Sequence, residues 1–237
     1  MCEFHLTIKK MYYKQMKFRI FAIAVVSVFI TGVQAQTNKK DSATVKQPVY
    51  RFEAGYTQTN RYGDYVSTTP FHGIRLGVNV EYPLQYGFGV ETGLRYTYSF
   101  GKKVQYYTKS DTVNYTYTGH AIDIPVRLTY TLPIFWGLKI FGYAGPDFNI
   151  GLAQTSKVTV SDLPIITGFP IDIKSGTYNL YKTELNRFSV MLGAGGGIQW
   201  KDFRVKGGYE WGLNSISKDK KSPEKLKGWY AAFEYEF

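Results

Sequence analysis

The chain has 237 residues, of which 17 % are aromatic and 24 are glycine, and its formal net charge is +11. This length suits one domain with a targeting segment, and frequent aromatic residues and glycines are typical of strands and turns. The only cysteine is Cys2. We therefore expect neither a disulfide nor thiol chemistry in the mature protein.

The N-terminal segment has the pattern of a signal peptide. The basic residues Lys17 and Arg19 precede the apolar run 21–30, and Val33 and Ala35 stand where small residues are expected before a cleavage site. An anchoring helix is the alternative, but such a helix needs about 20 apolar residues and this run is shorter. Because export removes the protein from the cytoplasm, the positive charge does not indicate a nucleic-acid partner.

We expect residues 1–35 to be removed, so that the mature chain begins at Gln36. Met11 and Met16 are alternative translation starts, in which case the residues before them are not part of the protein. Residues 36–48 are polar, and we interpret them as a periplasmic linker that leads to the first strand.

Apolar and polar residues alternate with a period of two in the rest of the chain. Around residue 76, for example, Ile74, Leu76 and Val78 share one face, whereas Arg75 and Gly77 share the other. Alternation of this length predicts tilted strands that cross a bilayer, which need about 10 residues. The predicted strands are residues 49–59, 72–83, 86–100, 115–131, 137–152, 186–200, 202–213 and 228–237.

The connections between these strands alternate between short and long. The short ones are Leu84-Gln85, 132–136 and Lys201, and the long, polar ones are 60–71, 101–114, 153–185 and 214–227. An even number of strands also lets the last strand pair with the first. The sequence therefore predicts an all-β fold over residues 49–237: an eight-stranded antiparallel up-and-down transmembrane β-barrel with short periplasmic turns and long extracellular loops.

A soluble, lipocalin-like barrel would also show this alternation, but with its apolar residues inside. Aromatic residues gather at both ends of the predicted strands, as membrane interfaces select. The last strand alternates aromatic residues up to a terminal phenylalanine, which resembles the C-terminal signature that the barrel-assembly machinery reads. Its members are Trp229, Phe233, Tyr235 and Phe237. These features predict lipid outside and location in the outer membrane.

By parity, eight basic and eight acidic residues fall on the inward face, and we call them the lumen charge network. The basic members are Arg51, Arg75, Arg95, Arg127, Lys139, Arg187, Arg204 and Lys206. The acidic members are Glu53, Glu81, Glu91, Asp123, Asp147, Glu210, Glu234 and Glu236. Side chains fill an eight-stranded barrel, and unpaired buried charges are costly. We predict a salt-bridged plug, with a selectivity or proton-relay path as the alternative.

Several motifs resemble the PorT-like outer-membrane β-barrel family of Gram-negative bacteria. They are the Ile-Asp-Ile-Pro-Val strand 122–126, the glycine-containing strand 142–146, the glycine run 193–197 and the closing aromatic strand. The resemblance covers nearly all of residues 48–237. It implies an outer-membrane barrel, and some members of the family are linked to protein secretion. It carries over no catalytic residue.

Candidate chemistry is sparse. His72 and His120 lie near the loop ends of their strands, where a lipid A-modifying enzyme would need them, but neither has a serine at two-residue spacing. The glycine run 193–197 is not followed by the helix and Lys-Ser/Thr of a phosphate loop. We therefore expect no catalytic residue, no metal ion and no cofactor.

The long loops are the predicted working surface. Lys218, Lys220, Lys221, Lys225 and Lys227 could contact lipopolysaccharide phosphates, or could belong to a solvated, mobile loop. The loop 153–185 contains an apolar group that could fold over the mouth or extend a hairpin. This group comprises Ile165, Ile166, Phe169, Pro170 and Ile171.

The leading hypothesis is a non-enzymatic barrel with a plugged lumen that acts as a structural or interaction protein through its extracellular loops. The alternatives are a narrow solute or ion channel and a lipid A-modifying enzyme at the rim. The expected partners are outer-membrane lipid, lipopolysaccharide, the barrel-assembly machinery during biogenesis, and a secretion-system or envelope protein.

Overall fold

The computed structural model describes residues 47–63, 70–106, 112–161 and 175–237. The predicted signal peptide 1–35 and nearly all of the linker 36–48 lie outside the described residues. The apolar group between Ile165 and Ile171 lies outside them as well. Within the described parts, no helix is long and apolar enough to span a membrane.

The described residues form nine strands, eight of which close into an antiparallel ring. The strands are β1 Val49–Tyr62, β2 Pro70–Pro83, β3 Phe88–Tyr106, β4 Thr112–Phe135, β5 Leu138–Ser161, β6 Gly176–Asn179, β7 Phe188–Trp200, β8 Phe203–Gly212 and β9 Lys225–Glu236. Each ring strand pairs with its neighbours in the chain, β5 pairs with β7, and β9 closes onto β1. The predicted eight-stranded up-and-down barrel is confirmed.

The strands extend beyond their predicted ends on the long-loop side. The β3–β4 ladder continues to the pair Tyr106↔Thr112, and the β4–β5 ladder continues to Thr112↔Ser161. Much of the predicted loops 101–114 and 153–185 is therefore strand. Threonine, valine and tyrosine favour these strands, but polar residues on both faces hide the alternation. The short strand β6 then pairs with Thr155–Val158 of β5.

Two of the short turns have left-handed backbone at consecutive residues. Trp136 and Gly137 have φ of 49° and 78°, and Tyr86 and Gly87 have φ of 57° and 84°. Positive φ at both central residues matches the twist of the strands that a tight hairpin joins. The glycine supplies one of these residues without strain, and the exposed rings of Tyr86 and Trp136 lie at the periplasmic end of the barrel.

Apolar side chains cover the outside of the barrel, and charged side chains fill the inside. Ile74, Leu128 and Val205 are each more than half exposed, whereas Arg95 and Asp147 are completely buried. A soluble barrel would bury the apolar face instead. This distribution rules out the lipocalin-like alternative and identifies the exposed apolar band as the surface that faces lipid.

Candidate functional site: the lumen and its extracellular cover

The structure buries thirteen of the sixteen residues of the lumen charge network. They are Arg51, Glu53, Arg75, Glu81, Glu91, Arg95, Asp123, Arg127, Asp147, Arg204, Lys206, Glu210 and Glu234. Lys139 and Glu236 are half-buried at the periplasmic end. They line an open vestibule together with Arg51 and Glu81.

The placement of Arg187 in the lumen is wrong. Arg187 precedes β7 and is exposed, and its guanidinium donates hydrogen bonds to the backbone carbonyls of Gly151 (3.0 Å) and Leu152 (2.6 Å). Its guanidinium also lies 4.9 Å from the centre of the Tyr181 ring. The parity of β7 does not apply here, because the chain before Phe188 has left the sheet.

The first charge cluster lies at the middle of the lumen and joins two carboxylates to three arginines. Asp147 pairs with Arg95 and, at 3.3 Å, with Arg127. Glu210 pairs with Arg127 at 3.1 Å and accepts two parallel hydrogen bonds, of 3.2 and 3.1 Å, from Arg75. Such two-point pairing fixes the orientation of the guanidinium.

The second charge cluster surrounds Lys206. The Lys206 ammonium lies 2.8 Å from the Glu53 carboxylate and 2.5 Å from the Glu234 carboxylate. Asn79 donates hydrogen bonds to the same two carboxylates, at 2.6 and 2.8 Å. Arg95 lies 3.9 Å from Glu53 and connects this cluster to the first one.

The third charge cluster lies at the periplasmic end. Glu81 pairs with Arg51 at 2.6 Å and with Arg204 at 3.0 Å, and Thr129 donates a hydrogen bond of 2.7 Å to it. Arg51 also reaches Glu236 at 3.2 Å. Glu234 and Glu236 of the closing strand thus each neutralise a cation from another part of the barrel.

Two inward tyrosines complete the filling of the lumen, although the sequence pattern did not identify them as site residues. The Tyr230 hydroxyl donates to the Tyr143 hydroxyl at 2.6 Å, and the Tyr143 hydroxyl donates to the Gly207 carbonyl at 3.0 Å. Arg127 donates to the Tyr230 hydroxyl at 2.8 Å and stacks on both rings. Their position in the sequence could have revealed them, because each lies an even number of residues from charged residues that face inward on the same strand.

The glycines of β7 and β8 make room for these tyrosines. Tyr143 pairs across the sheet with Gly195, Gly195 with Gly208, and Gly208 with Tyr230. A Cβ on Gly208 would lie 2.8 Å from both tyrosine hydroxyls, and one on Gly195 would collide with the Tyr143 hydroxyl. The glycine run is therefore a packing feature of the lumen, because only glycine lets a ring lie flat across these strands.

A small apolar cluster covers the extracellular end, and we call it the cover. Leu180, Leu185 and Ile216 are buried together, with Tyr181 and Leu226 packed against them. Leu180 begins a short helix, Leu180–Thr183, for which Asn179 provides the N-cap by accepting a hydrogen bond from the Tyr181 amide. Burial raises the pKa of Tyr181, so its hydroxyl stays neutral.

Backbone hydrogen bonds join the two segments of the cover. The Asn186 amide donates to the Ile216 carbonyl at 2.7 Å, and the Lys218 amide donates to the Glu184 carbonyl at 2.8 Å. The Lys218 ammonium donates to the carbonyls of Tyr181 and Lys182 at the end of the helix. These bonds hold the cover across the mouth.

Beneath the cover lies a cavity of about 100 Å³. Its walls include Arg61, Ser189, Phe71 and Ile216, and Asp123 and Glu210 belong to its lining as well. Thr97 and Asn149 each donate a 2.6 Å hydrogen bond to the Asp123 carboxylate. The cavity combines charged and apolar walls, unlike the tightly paired middle of the lumen.

Both histidines lie on the lipid-facing side near the extracellular rim. His72 bonds the Tyr56 hydroxyl, and His120 bonds the Tyr96 hydroxyl at 2.5 Å. The bonds described for the two imidazoles thus involve tyrosine and include no serine. The described residues contain no group of three or more histidine, cysteine, aspartate or glutamate residues that could hold a metal ion.

The five predicted lipopolysaccharide-contacting lysines differ in their surroundings. Lys218 belongs to the cover, and the Lys227 ammonium lies 4.9 Å from the centre of the Tyr62 ring. Lys225 is half-buried at the start of β9, whereas Lys220 and Lys221 are exposed. Lys218 is exposed as well, so three of the five are accessible from outside.

The four residues of the predicted assembly signature face outward on β9 and at its end. Trp229, Phe233, Tyr235 and Phe237 are all exposed. Phe233 and Tyr235 pack against Phe203 of β8, with ring centres 5.5 and 5.3 Å apart. Recognition by the assembly machinery stays a prediction.

The closed ring, the lipid-facing apolar band and the charged lumen define an integral β-barrel of the outer membrane. The chain belongs to the outer membrane protein beta-barrel domain family, whose profile matches residues 33–218. No curated protein matches the chain.

Several solved structures are similar to the chain. Neisserial surface protein A is 12 % identical, with a TM-score of 0.42, over 81 % of this chain and 100 % of that one. Ail of Yersinia pestis, solved with the heparin analogue sucrose octasulfate, is 15 % identical, with a TM-score of 0.38, over 81 % and 100 %. The outer membrane enzyme PagL is 10 % identical, with a TM-score of 0.39, over 78 % and 98 %.

Proposed function

We propose that this protein is a non-conducting, non-enzymatic outer-membrane barrel that acts as a structural or interaction protein through its extracellular face. The observation that carries the proposal is the filled lumen. Arg95, Arg127 and Asp147 are almost completely buried at its middle and are bonded to each other and to neighbouring strands. A path for ions would have to break these pairs, and unpaired buried charges are costly.

The position of the cover supports the same proposal. The segments around Leu185 and Ile216 close the extracellular end, where a channel would need an entrance. Both segments connect strands, and loops held by a rigid scaffold are where binding surfaces usually occur. The proposal therefore assigns the function to the outside of the barrel.

Conductance in planar bilayers tests the proposal. We expect the purified protein to insert without discrete channel events, while a known porin added to the same bilayer shows that the recording detects channels. Reproducible unitary steps from the purified protein would favour the narrow-channel alternative and would contradict the plugged lumen.

The non-enzymatic part of the proposal rests on the rim histidines. A hydrolase of this kind needs a nucleophile activated by its base, whereas the described partners of His72 and His120 are tyrosine hydroxyls. Mass spectrometry of lipid A, with and without expression of the protein, should show no difference. A modification that the substitution His120→Ala abolishes would overturn this part.

The remaining expectations concern partners and processing. We propose that the loop lysines Lys218, Lys220, Lys221, Lys225 and Lys227 contact lipopolysaccharide phosphates. We also propose that a secretion-system or envelope protein binds the extracellular face, and that the protein is PorT-like in the narrower sense. N-terminal sequencing of the mature protein should find Gln36 first. Crosslinking from the extracellular face in intact cells, followed by identification of the captured protein, tests the partner.

A further inference from the structure

We propose that the cavity beneath the cover is a binding site for a short-chain carboxylate. This inference is separate from the proposed function, since a plugged barrel could exist with or without such a site. It rests on which polar groups in the cavity lack a partner, on the charges around them and on the apolar part of the walls.

Three hydrogen-bond donors in the cavity walls have no acceptor among the described residues. They are Nη2 of Arg61, Nε of Arg75 and Oγ of Ser189, all inaccessible to solvent. Arg75 makes its other described hydrogen bonds to Glu210, whereas no described bond involves Nη2 of Arg61 or the hydroxyl of Ser189. Buried donors that lack an acceptor are costly, and a ligand with acceptor oxygens would satisfy them.

Arg61 also differs in charge from the arginines deeper in the lumen. Arg51, Arg75, Arg95, Arg127 and Arg204 each lie within 4.0 Å of a carboxylate. For Arg61, the described residues provide no such ion pair, and its guanidinium lies 5.0 Å from the centre of the Phe71 ring. A guanidinium without an ion pair can form charge-assisted hydrogen bonds to a carboxylate ligand.

The charges at the other side of the cavity select the kind of anion. Asp123 and Glu210 belong to the lining, and Asp123 receives its described hydrogen bonds from the neutral side chains of Thr97 and Asn149. The Glu210 carboxylate is already paired with Arg75 and Arg127, so the Asp123 carboxylate is the one that would repel a phosphate dianion. A monoanion whose charge stays beside Arg61 is repelled less.

The apolar walls select what the carboxylate is attached to. Phe71, Leu185, Ile216 and Leu226 line the same cavity and would contact a hydrocarbon chain. A cavity of about 100 Å³ is of the order of engineered apolar cavities that hold one benzene molecule. The dimensions therefore fit an acid of a few carbon atoms, with its carboxylate towards Arg61 and Ser189.

Isothermal titration calorimetry of the purified full barrel in detergent micelles, with sodium butyrate as the probe, tests the proposal. We expect saturable one-site binding to the wild-type protein. The isosteric neutral amide butyramide and inorganic phosphate should each bind at least tenfold more weakly. Arg61→Gln should weaken butyrate binding at least tenfold, and Ser189→Ala should weaken it severalfold.

The matched control is Lys102→Gln, which removes a positive charge from an exposed position outside the cavity lining and should leave butyrate binding unchanged. Altered migration of the unheated protein in gels verifies that each variant folds, and Ser189→Ala serves if Arg61→Gln does not. Absence of saturable butyrate binding, or equal binding by both Arg61→Gln and Ser189→Ala and the wild type, would overturn the site. Phosphate binding as tight as butyrate binding would overturn the carboxylate assignment.

Discussion

The middle of the lumen and its extracellular end differ in how their buried charges are paired. In the middle, Arg95 and Arg127 share Asp147, and Lys206 lies between Glu53 and Glu234. At the extracellular end, Arg61 faces a cavity and has no ion pair among the described residues. The same barrel thus contains a network of ion pairs and, above it, an arginine for which the described residues provide no ion pair.

The difference suggests that the middle of the lumen serves stability, whereas the extracellular end serves binding. In the middle, each buried cation lies beside at least one carboxylate, and such a network of ion pairs contributes to a unique arrangement. A buried donor without an acceptor costs stability, so replacing Arg61 removes a cost and breaks no ion pair. Substitutions in the two regions should therefore differ in their consequences for stability.

The largest effect on stability is expected for Asp147→Ala in the ion-paired middle of the lumen. Removing one partner of a buried ion pair leaves an uncompensated charge, so the substitution should lower the free energy of unfolding by about 3–5 kcal/mol. Urea unfolding in lipid vesicles, followed by tryptophan fluorescence, measures this. The exposed Asp219→Ala should stay within about 0.5 kcal/mol of the wild type, and Arg61→Gln should not destabilise. Equal losses for Asp147→Ala and Arg61→Gln would remove the distinction between the regions.

The next effect concerns the cover. Truncating a buried leucine costs about 2–5 kcal/mol, so Leu185→Ala should open the cover more often. The thiol of Ser189→Cys should then react with a charged thiol reagent at least tenfold faster in the Leu185→Ala variant than with Leu185 intact. Leu213→Ala, at a position 52 % exposed, is the matched control and should leave the rate unchanged. An unchanged rate for Leu185→Ala would mean that the cover does not limit access.

The smallest effect is expected for the glycines beside the tyrosines. Gly195→Ala would push a methyl group against the Tyr143 hydroxyl and the Gly207 carbonyl, and such overpacking costs about 1–3 kcal/mol. Gly142→Ala, whose Cβ would lie 3.7 Å from the nearest atom, is the control and should be nearly neutral. Similar urea midpoints for the two variants would contradict the close packing of the lumen.

Period-two alternation is sufficient to predict the barrel, because lipid contact forces an apolar residue at every second position of a crossing strand. It fails where the strands leave the membrane. Beyond Phe100 in β3 and beyond Ala153 in β5, both faces carry polar residues, and backbone pairing continues without an apolar stripe. The ends of the strands therefore could not be read from the pattern.

Parity predicts which side chains face the lumen, but it does not predict which of them form ion pairs with each other. Asp147 and Arg95 are adjacent only because the barrel is narrow, and no spacing in the sequence relates them. The sequence did not predict the cover either, since Leu180, Leu185 and Ile216 come from two separate connections between strands. Parity also failed at Arg187, where the chain is no longer strand.

Because the strands have unequal lengths, one side of the barrel extends further from the membrane than the other. β4 and β5 each have 24 residues, whereas β8 has 10. A tilted strand crosses the bilayer in about 9–11 residues, so about 14 residues of β4 and of β5 lie outside the lipid, which is roughly 48 Å along each strand at a rise of about 3.4 Å per residue. The strands β4 and β5 thus form a tall side of the rim, while β8 and β9, with 10 and 12 residues, end closer to the lipid. We expect a large molecule that binds the cover to lie against the tall side, which gives the complex a preferred orientation about the barrel axis.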